Sequence, residues 1–263
     1  MLNTLTKINY YRLSAYLLPF KKDVSENFKK DTTFEQVYLI YEFDKKLRHL
    51  IADAIEDVEI SFRTHITYHL SHTYNAFGYL DKTNFNPQFN HIKWLSILND
   101  KLKYSKEVFI EHHRSSYDVS QGFPIWKAIE VTSFSMLSNL FWGLKNTDRQ
   151  NISRNYYSHD QIIIKSWLFS LVYVRNLCAH HSRLWNRDLS ISPKKPQKDI
   201  VWKSINPKDI HKLFTLFLML KVMLNSSDKF EEFRDQFKKL LLDYQKIDTA
   251  AMGFPRNWED LLK

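Results

Sequence analysis

Apolar residues recur at three- and four-residue intervals through most of the chain, the spacing that lines one face of a helix. The pattern predicts a short Tyr- and Leu-rich helix over 1–18. Pro19 stops it, because the residue before a proline is pushed out of the helical region. A polar, Lys-rich connection follows at 21–31. Thr32 then reads as a helix cap with Glu35 three residues on, and helical periodicity runs to about Tyr74 without a Gly or Pro. That is long for a globular helix, so a kink or break is expected within it. Gly78, Pro87 and several Asn and Asp make 75–90 a loop. Further helices are predicted at about 91–104, 105–116 and 124–143, with Pro124 in a first turn. A strong one runs from about Asp160 past His180, and two more cover about 207–225 and 228–246. Residues 145–159 are polar, Pro193 and Pro196 punctuate a loop with Lys194, Lys195 and Lys198, and the tail closes with Gly253-Phe254-Pro255.

Composition supports the same picture. Only 4 Gly and 7 Pro among 263 residues favour long helices over a turn-rich sheet, and 44% apolar with 15% aromatic content supplies a core. No repeat, low-complexity tract or interdomain linker stands out. The expected fold class is all-α: a single domain over 1–263 with a core at about 34–190, and 1–33 and 200–263 packed as additions.

Charge narrows the partner. A net charge of +9 and a pI near 9.3 favour a polyanion, since each Lys or Arg that meets a phosphate releases counterions. An anionic membrane surface would suit the same balance. The lone Cys178 cannot form an internal disulfide or a Cys-rich zinc site, so the chain reads as cytoplasmic. The N-terminus carries no apolar signal core, and no window approaches a transmembrane length. Ile162 to Val174 is the most apolar stretch, and Lys165 interrupts it.

The chemically informative stretch is Val174-Arg175-Asn176-Leu177-Cys178-Ala179-His180-His181-Ser182-Arg183-Leu184-Trp185-Asn186-Arg187. On a helix turning about 100° per residue, Asn176, His180, Arg183 and Arg187 fall within about 60° of one another as a polar stripe. Val174, Leu177, Cys178 and Trp185 then face the core, and His181 falls with them as a buried histidine. An Arg and a His separated by four intervening residues suit RNA cleavage. A neutral imidazole can take the 2′-OH proton, a second group protonates the leaving 5′-oxygen, and a guanidinium stabilises the more charged phosphate. The nucleophile lies within the substrate, so neither metal nor other cofactor is called for. Arg154 and His159 repeat the spacing in a polar stretch and are read as coincidence.

Other clusters have a bland and a chemical reading. Glu56, Glu59 and Arg63 share a helical stripe and can form an ion-pair network or orient His180 or Arg175. His65, His69 and His72 lie on one helix face at a spacing that can bind metal, without an adjacent Glu or Cys, and read as a polar face. Tyr10-Tyr11-Arg12 can stack on bases or pack in the core. Arg183, Arg187, Arg12, Lys194 and Lys195 are candidate RNA-backbone contacts.

The chain resembles the Abi-like (abortive-infection, AbiD/AbiF type) family within the HEPN superfamily of helical RNA nucleases. The resemblance rests on Ile8 to Tyr16, Phe43 to Arg48, Ala54 to Arg63, Pro124-Ile125-Trp126 with Glu130 and Phe134, Arg175 to Arg187, and Met252 to Pro255, in that order. Relative to the family's usual pattern, the sequence begins almost at the Asn-Tyr-Tyr-Arg block, and Ser135 stands where Gly is common. The resemblance implies a HEPN-like helical bundle with added terminal helices and a phage-defence or toxin-type RNase. It places the catalytic pair on Arg175 and His180, with Asn176 beside them. It further implies a homodimer with a composite active site, and a restraining antitoxin of RNA or protein. A non-catalytic RNA-binding module of the same fold is the alternative, and a metal-dependent hydrolase built on the His65 stripe a third.

Overall fold

Asn9 starts the first described helix. Its side chain accepts the Tyr11 N–H at 2.8 Å, and α1 runs Tyr10–Leu17 until Pro19 forces a short 3-10 turn. The structure, a computed structural model, describes residues 6–22 and 27–263. The parts of the expected 1–18 helix and 21–31 connection that fall on 1–5 and 23–26 lie outside the described residues.

The long helix α2 covers Phe34–Tyr74. Its cap is Thr33 rather than Thr32. The Thr33 hydroxyl accepts the Gln36 N–H at 3.3 Å, and the Gln36 side chain accepts the Thr33 N–H at 3.0 Å, a reciprocal capping box. The expected break is absent, and α2 continues for 41 residues, about 60 Å at 1.5 Å per residue. The reason is continuous support. Val37, Ile40, Phe43, Leu47, Ile51, Ile55, Val58, Phe62, Ile66 and Leu70 form one buried stripe, and other helices meet it along its length. Tyr16 of α1 reaches Asp44 near its start, and His65 and His69 meet Tyr157 and Asp148 near its end.

After the 75–90 loop come α3 (His91–Tyr104) and α4 (Val108–Ser116). The expected 124–143 helix is two: α5 (Ile125–Ala128), capped by Pro124, and α6 (Phe134–Gly143), capped by Ser133. Between them a 3-10 turn and extended Thr132 redirect the chain. The polar 145–159 stretch is a helix, α7 (Asn146–Tyr157), against α2. Its apolar periodicity is masked because its buried face includes Asp148, Arg149 and Ser153 beside Ile152 and Tyr157. Here His69 Nε2 lies 2.9 Å from Asp148, and His65 stacks on Tyr156. The histidine stripe is thus held in protein contacts, and among the described residues no His, Cys, Asp or Glu group has metal-holding geometry.

Helix α8 (Gln161–Ala179) begins at Asp160, whose side chain accepts the Ile162 N–H, and packs on α2, α6 and α7. Contrary to expectation, its 19 residues with mean hydropathy 1.4 suffice for a membrane span by length and composition. Its Ile164, Trp167, Leu168, Leu171, Val174 and Cys178 are buried in the protein core. Four further helices close the chain: α9 (Ile200–Ser204), α10 (Leu213–Met223), α11 (Ser227–Asp243) and α12 (Trp258–Leu261). Phe217, Phe237, Phe254 and Trp258 pack ring against ring among them, mostly edge to face, and α11 joins α2 through Lys229 and Asp57. Among the described residues every regular element is helical, so the fold is all-α.

Candidate functional site

The candidate site forms where α8 stops. The expectation that the helix carries on past His180 does not hold. Ala179 is its last residue, and His180 is the C-cap. The Ser182 N–H reaches back to the Leu177 carbonyl at 2.9 Å and the His181 N–H to Cys178 at 3.0 Å. This is a Schellman ending, and His181 occupies its left-handed position at φ 56°, where glycine is usual. The stripe of Asn176, His180, Arg183 and Arg187 therefore does not exist as a helix face. Arg183 and Arg187 lie on the irregular segment beyond the turn. His181, expected in the core, is exposed.

A buried carboxylate holds that segment. Asp44 accepts the Trp185 N–H at 2.7 Å, the Leu184 N–H at 3.1 Å, the Tyr16 hydroxyl at 2.6 Å and Arg48 Nη1 at 2.6 Å. Burial pushes the Asp44 carboxyl above its usual range, and the hydrogen bond from Tyr16, the charge of Arg48 and the two backbone donors oppose the shift. Burial and the nearby Asp44 together raise the Tyr16 hydroxyl. Arg12 adds a second tie, donating from Nη1 to the His181 carbonyl at 2.8 Å. Sequence reading missed this hub. Its signal was legible: Asp44 and Arg48 are charged residues at buried-face positions among Ile40, Leu47 and Ile51.

Two open grooves meet at the turn. The first, about 870 Å³, lies between α2 and α8 and brings together Glu56, Glu59, Arg63 and Arg175, with Glu130 added from the turn after α5. Arg63 donates to Glu59 at 2.8 Å, Glu130 at 3.3 Å and the Thr132 carbonyl at 3.1 Å. Partial burial lifts the Glu59 carboxyl, and the charges of Arg63 and Arg175 counter it. The expected supporting trio thus shares a groove with Arg175, and His180 is not among that groove's lining residues. Exposed Arg175 is also 3.5 Å from Asn176 Oδ1, and the Asn176 carbonyl accepts the His180 N–H.

The second groove, about 550 Å³, is lined by His180 with Tyr11, Arg12, Arg183 and Arg187. His181 lines both grooves. Their electrostatics differ. The first sets Asp53, Glu56, Glu59 and Glu130 against Arg48, Arg63 and Arg175, whereas the second has three arginines and no carboxylate. The second therefore presents the sign of charge that attracts a polyanion. Its arginines are partly committed to the fold: Arg183 Nη1 donates to the Ala15 carbonyl and Arg187 Nη1 to the Arg183 carbonyl. Each retains donors beyond these, since a guanidinium carries five.

Lys194 and Lys195 lie elsewhere. The Lys194 backbone pairs with Trp167 and Ser166, and Lys195 Nζ donates to the Ile205 carbonyl. With His159 and Ile162 they line a third groove near the start of α8, roughly 27 Å of helix from His180. His159, the second member of the repeated Arg-His spacing, follows left-handed Ser158 and packs on Trp167.

A family model of Abi-like proteins matches residues 3–186, which include Arg12, the Asp44 hub, both faces of the first groove and the turn through Arg183. The chain belongs to the Abi-like family. No curated protein and no solved structure matches it. Of the candidate residues in this Abi-like chain, Arg187, Lys194 and Lys195 fall beyond the matched segment.

Proposed function

We propose that this Abi-like protein is a metal-independent endoribonuclease of HEPN type that acts in phage defence or as a toxin-type effector in the cytoplasm. The observation that carries the reading is the exposure of Arg175 and His180 at one helix end, beside a groove that is basic throughout. His180 takes the proton from a ribose 2′-OH. The 2′-oxygen forms a bond to the adjacent phosphorus as the bond from phosphorus to the 5′-oxygen breaks, leaving a 2′,3′-cyclic phosphate and a 5′-OH. Arg175 stabilises the charge gathered on the phosphate, and Arg12, Arg183 and Arg187 hold neighbouring phosphates. The active form is a homodimer in which two such helix ends face each other, and an RNA or protein antitoxin restrains it.

One observation favours a second reading, a non-catalytic RNA-binding module: Arg175 and His180 line adjoining grooves rather than one. End-mapping of RNA incubated with the purified protein in EDTA decides between them. Cyclic-phosphate ends that vanish with His180→Ala support the nuclease. Binding without cleavage, or cleavage by His180→Ala at the wild-type rate, overturns it.

A further inference from the structure

In the proposed reaction one proton goes to His180, and another must reach the departing 5′-oxygen. We propose that His181 of the same chain supplies that second proton, an inference that rests on the nuclease reading above. Three observations point to it. First, His181 is exposed and lines both grooves, whereas His180 lines only the basic one. An RNA strand crossing from the arginine-lined groove toward Arg175 passes His181 on the way. Second, the His181 backbone is left-handed at φ 56°. Glycine is the most frequent residue at such a helix end and histidine is one of the side chains that tolerates it, so the turn carries an exposed imidazole that it does not require in order to form. Third, the residue is fixed from two sides. Its carbonyl accepts Arg12 Nη1 at 2.8 Å, and the chain three and four residues on is anchored to Asp44 through the Leu184 and Trp185 N–H groups. The backbone beneath two consecutive histidines, one at the cap and one at the left-handed position, is thereby held at the junction.

The step balances within the substrate and the two histidines. The 2′-hydroxyl proton passes to neutral His180 as the 2′-oxygen bonds to phosphorus. The bond from phosphorus to the 5′-oxygen breaks, and the electron pair left on that oxygen takes a proton from the His181 imidazolium. Each imidazole ends in the other's starting state, and water exchanges the protons before the next turnover.

The test uses His181→Gly and His181→Asn, both suited to left-handed backbone. His181→Gly is expected to melt at or above the wild-type temperature while cleaving ordinary RNA about a hundred- to ten-thousand-fold more slowly. The second readout is an oligoribonucleotide with sulfur in place of the 5′-bridging oxygen at the mapped cleavage position. A thiolate leaves without being protonated, so the His181 variants should lose less than about tenfold on it, while His180→Ala stays slow on both substrates. If a folded His181 variant cuts ordinary RNA within about threefold of wild type, or is slowed equally on both substrates, the assignment of His181 is wrong though the nuclease reading stands. If the wild type yields no cyclic-phosphate ends at all, both fall together.

Discussion

The carboxylate of Asp44, near the start of the long helix, accepts the backbone N–H of Trp185 at 2.7 Å across 141 residues of sequence. This bond ties the turn that carries both histidines to the element that crosses the whole fold. Arg48, 4% exposed, and the Tyr16 hydroxyl complete the cluster.

Asp44→Ala leaves the Arg48 charge uncompensated and two backbone N–H groups without their acceptor. Its unfolding free energy is expected to fall by roughly 3–5 kcal/mol, the usual result of removing one partner of a buried pair. Asp44→Asn should lose less, because its amide oxygen still accepts an N–H. Urea unfolding of the three proteins measures the order, and a wild-type midpoint for Asp44→Ala would contradict it.

The two basic regions should separate experimentally. On the proposed RNA path Arg187→Ala removes a phosphate contact in the His180 groove, so the logarithmic salt dependence of binding to an uncleavable 2′-deoxy-substituted RNA should fall by about 0.7. Lys194→Ala with Lys195→Ala changes a groove at the other end of α8 and should leave the cleavage rate on short RNA near wild type. Loss of cleavage in the lysine variant, with Arg187→Ala unaffected, would invert the assignment of the RNA path.

Tyr11 is 82% exposed and lines the groove beside His180. On the same proposed path an exposed ring beside the groove's arginines is a stacking surface for an unpaired base, worth about 1–3 kcal/mol. Tyr11→Ala should weaken binding of single-stranded RNA by that amount without lowering Tm, and Tyr11→Phe should retain it. Equal binding by all three proteins in a fluorescence titration rules the contact out.

Burial between Tyr156 and Tyr157 pushes His65 down to about 4. In the unfolded chain a histidine titrates near 6.5, so the unfolded chain takes up the proton first. Stability is therefore full above about 6.5 and declines as the pH falls toward about 4. His65→Gln removes this contribution, and its Tm should vary less with pH across that window. Identical pH profiles for the two proteins would show that His65 is not the source.

Much of this protein is set by local pattern. The all-α class, the reach of the long helix to Tyr74, the start of α8 at Asp160 and the break at Gly122-Phe123-Pro124 all follow from short-range spacing, caps and breakers. So does the candidacy of Arg175 and His180, since a stretch of sequence specifies its own chemistry. The end of α8 was not legible in this way. Neither Gly nor Pro follows Ala179 before Pro193, and the stop comes from a left-handed histidine held by Arg12 and Asp44, partners about 170 and 140 residues away. Nor did α7 announce itself, because its buried Asp148 is matched by His69 and Tyr74 from α2 and not by apolar neighbours. Residue spacing decided which groups are available. Long-range hydrogen bonds, which no local pattern encodes, decided that His181 faces solvent, that Arg175 and His180 line adjoining grooves, and that Lys194 and Lys195 stand apart from both.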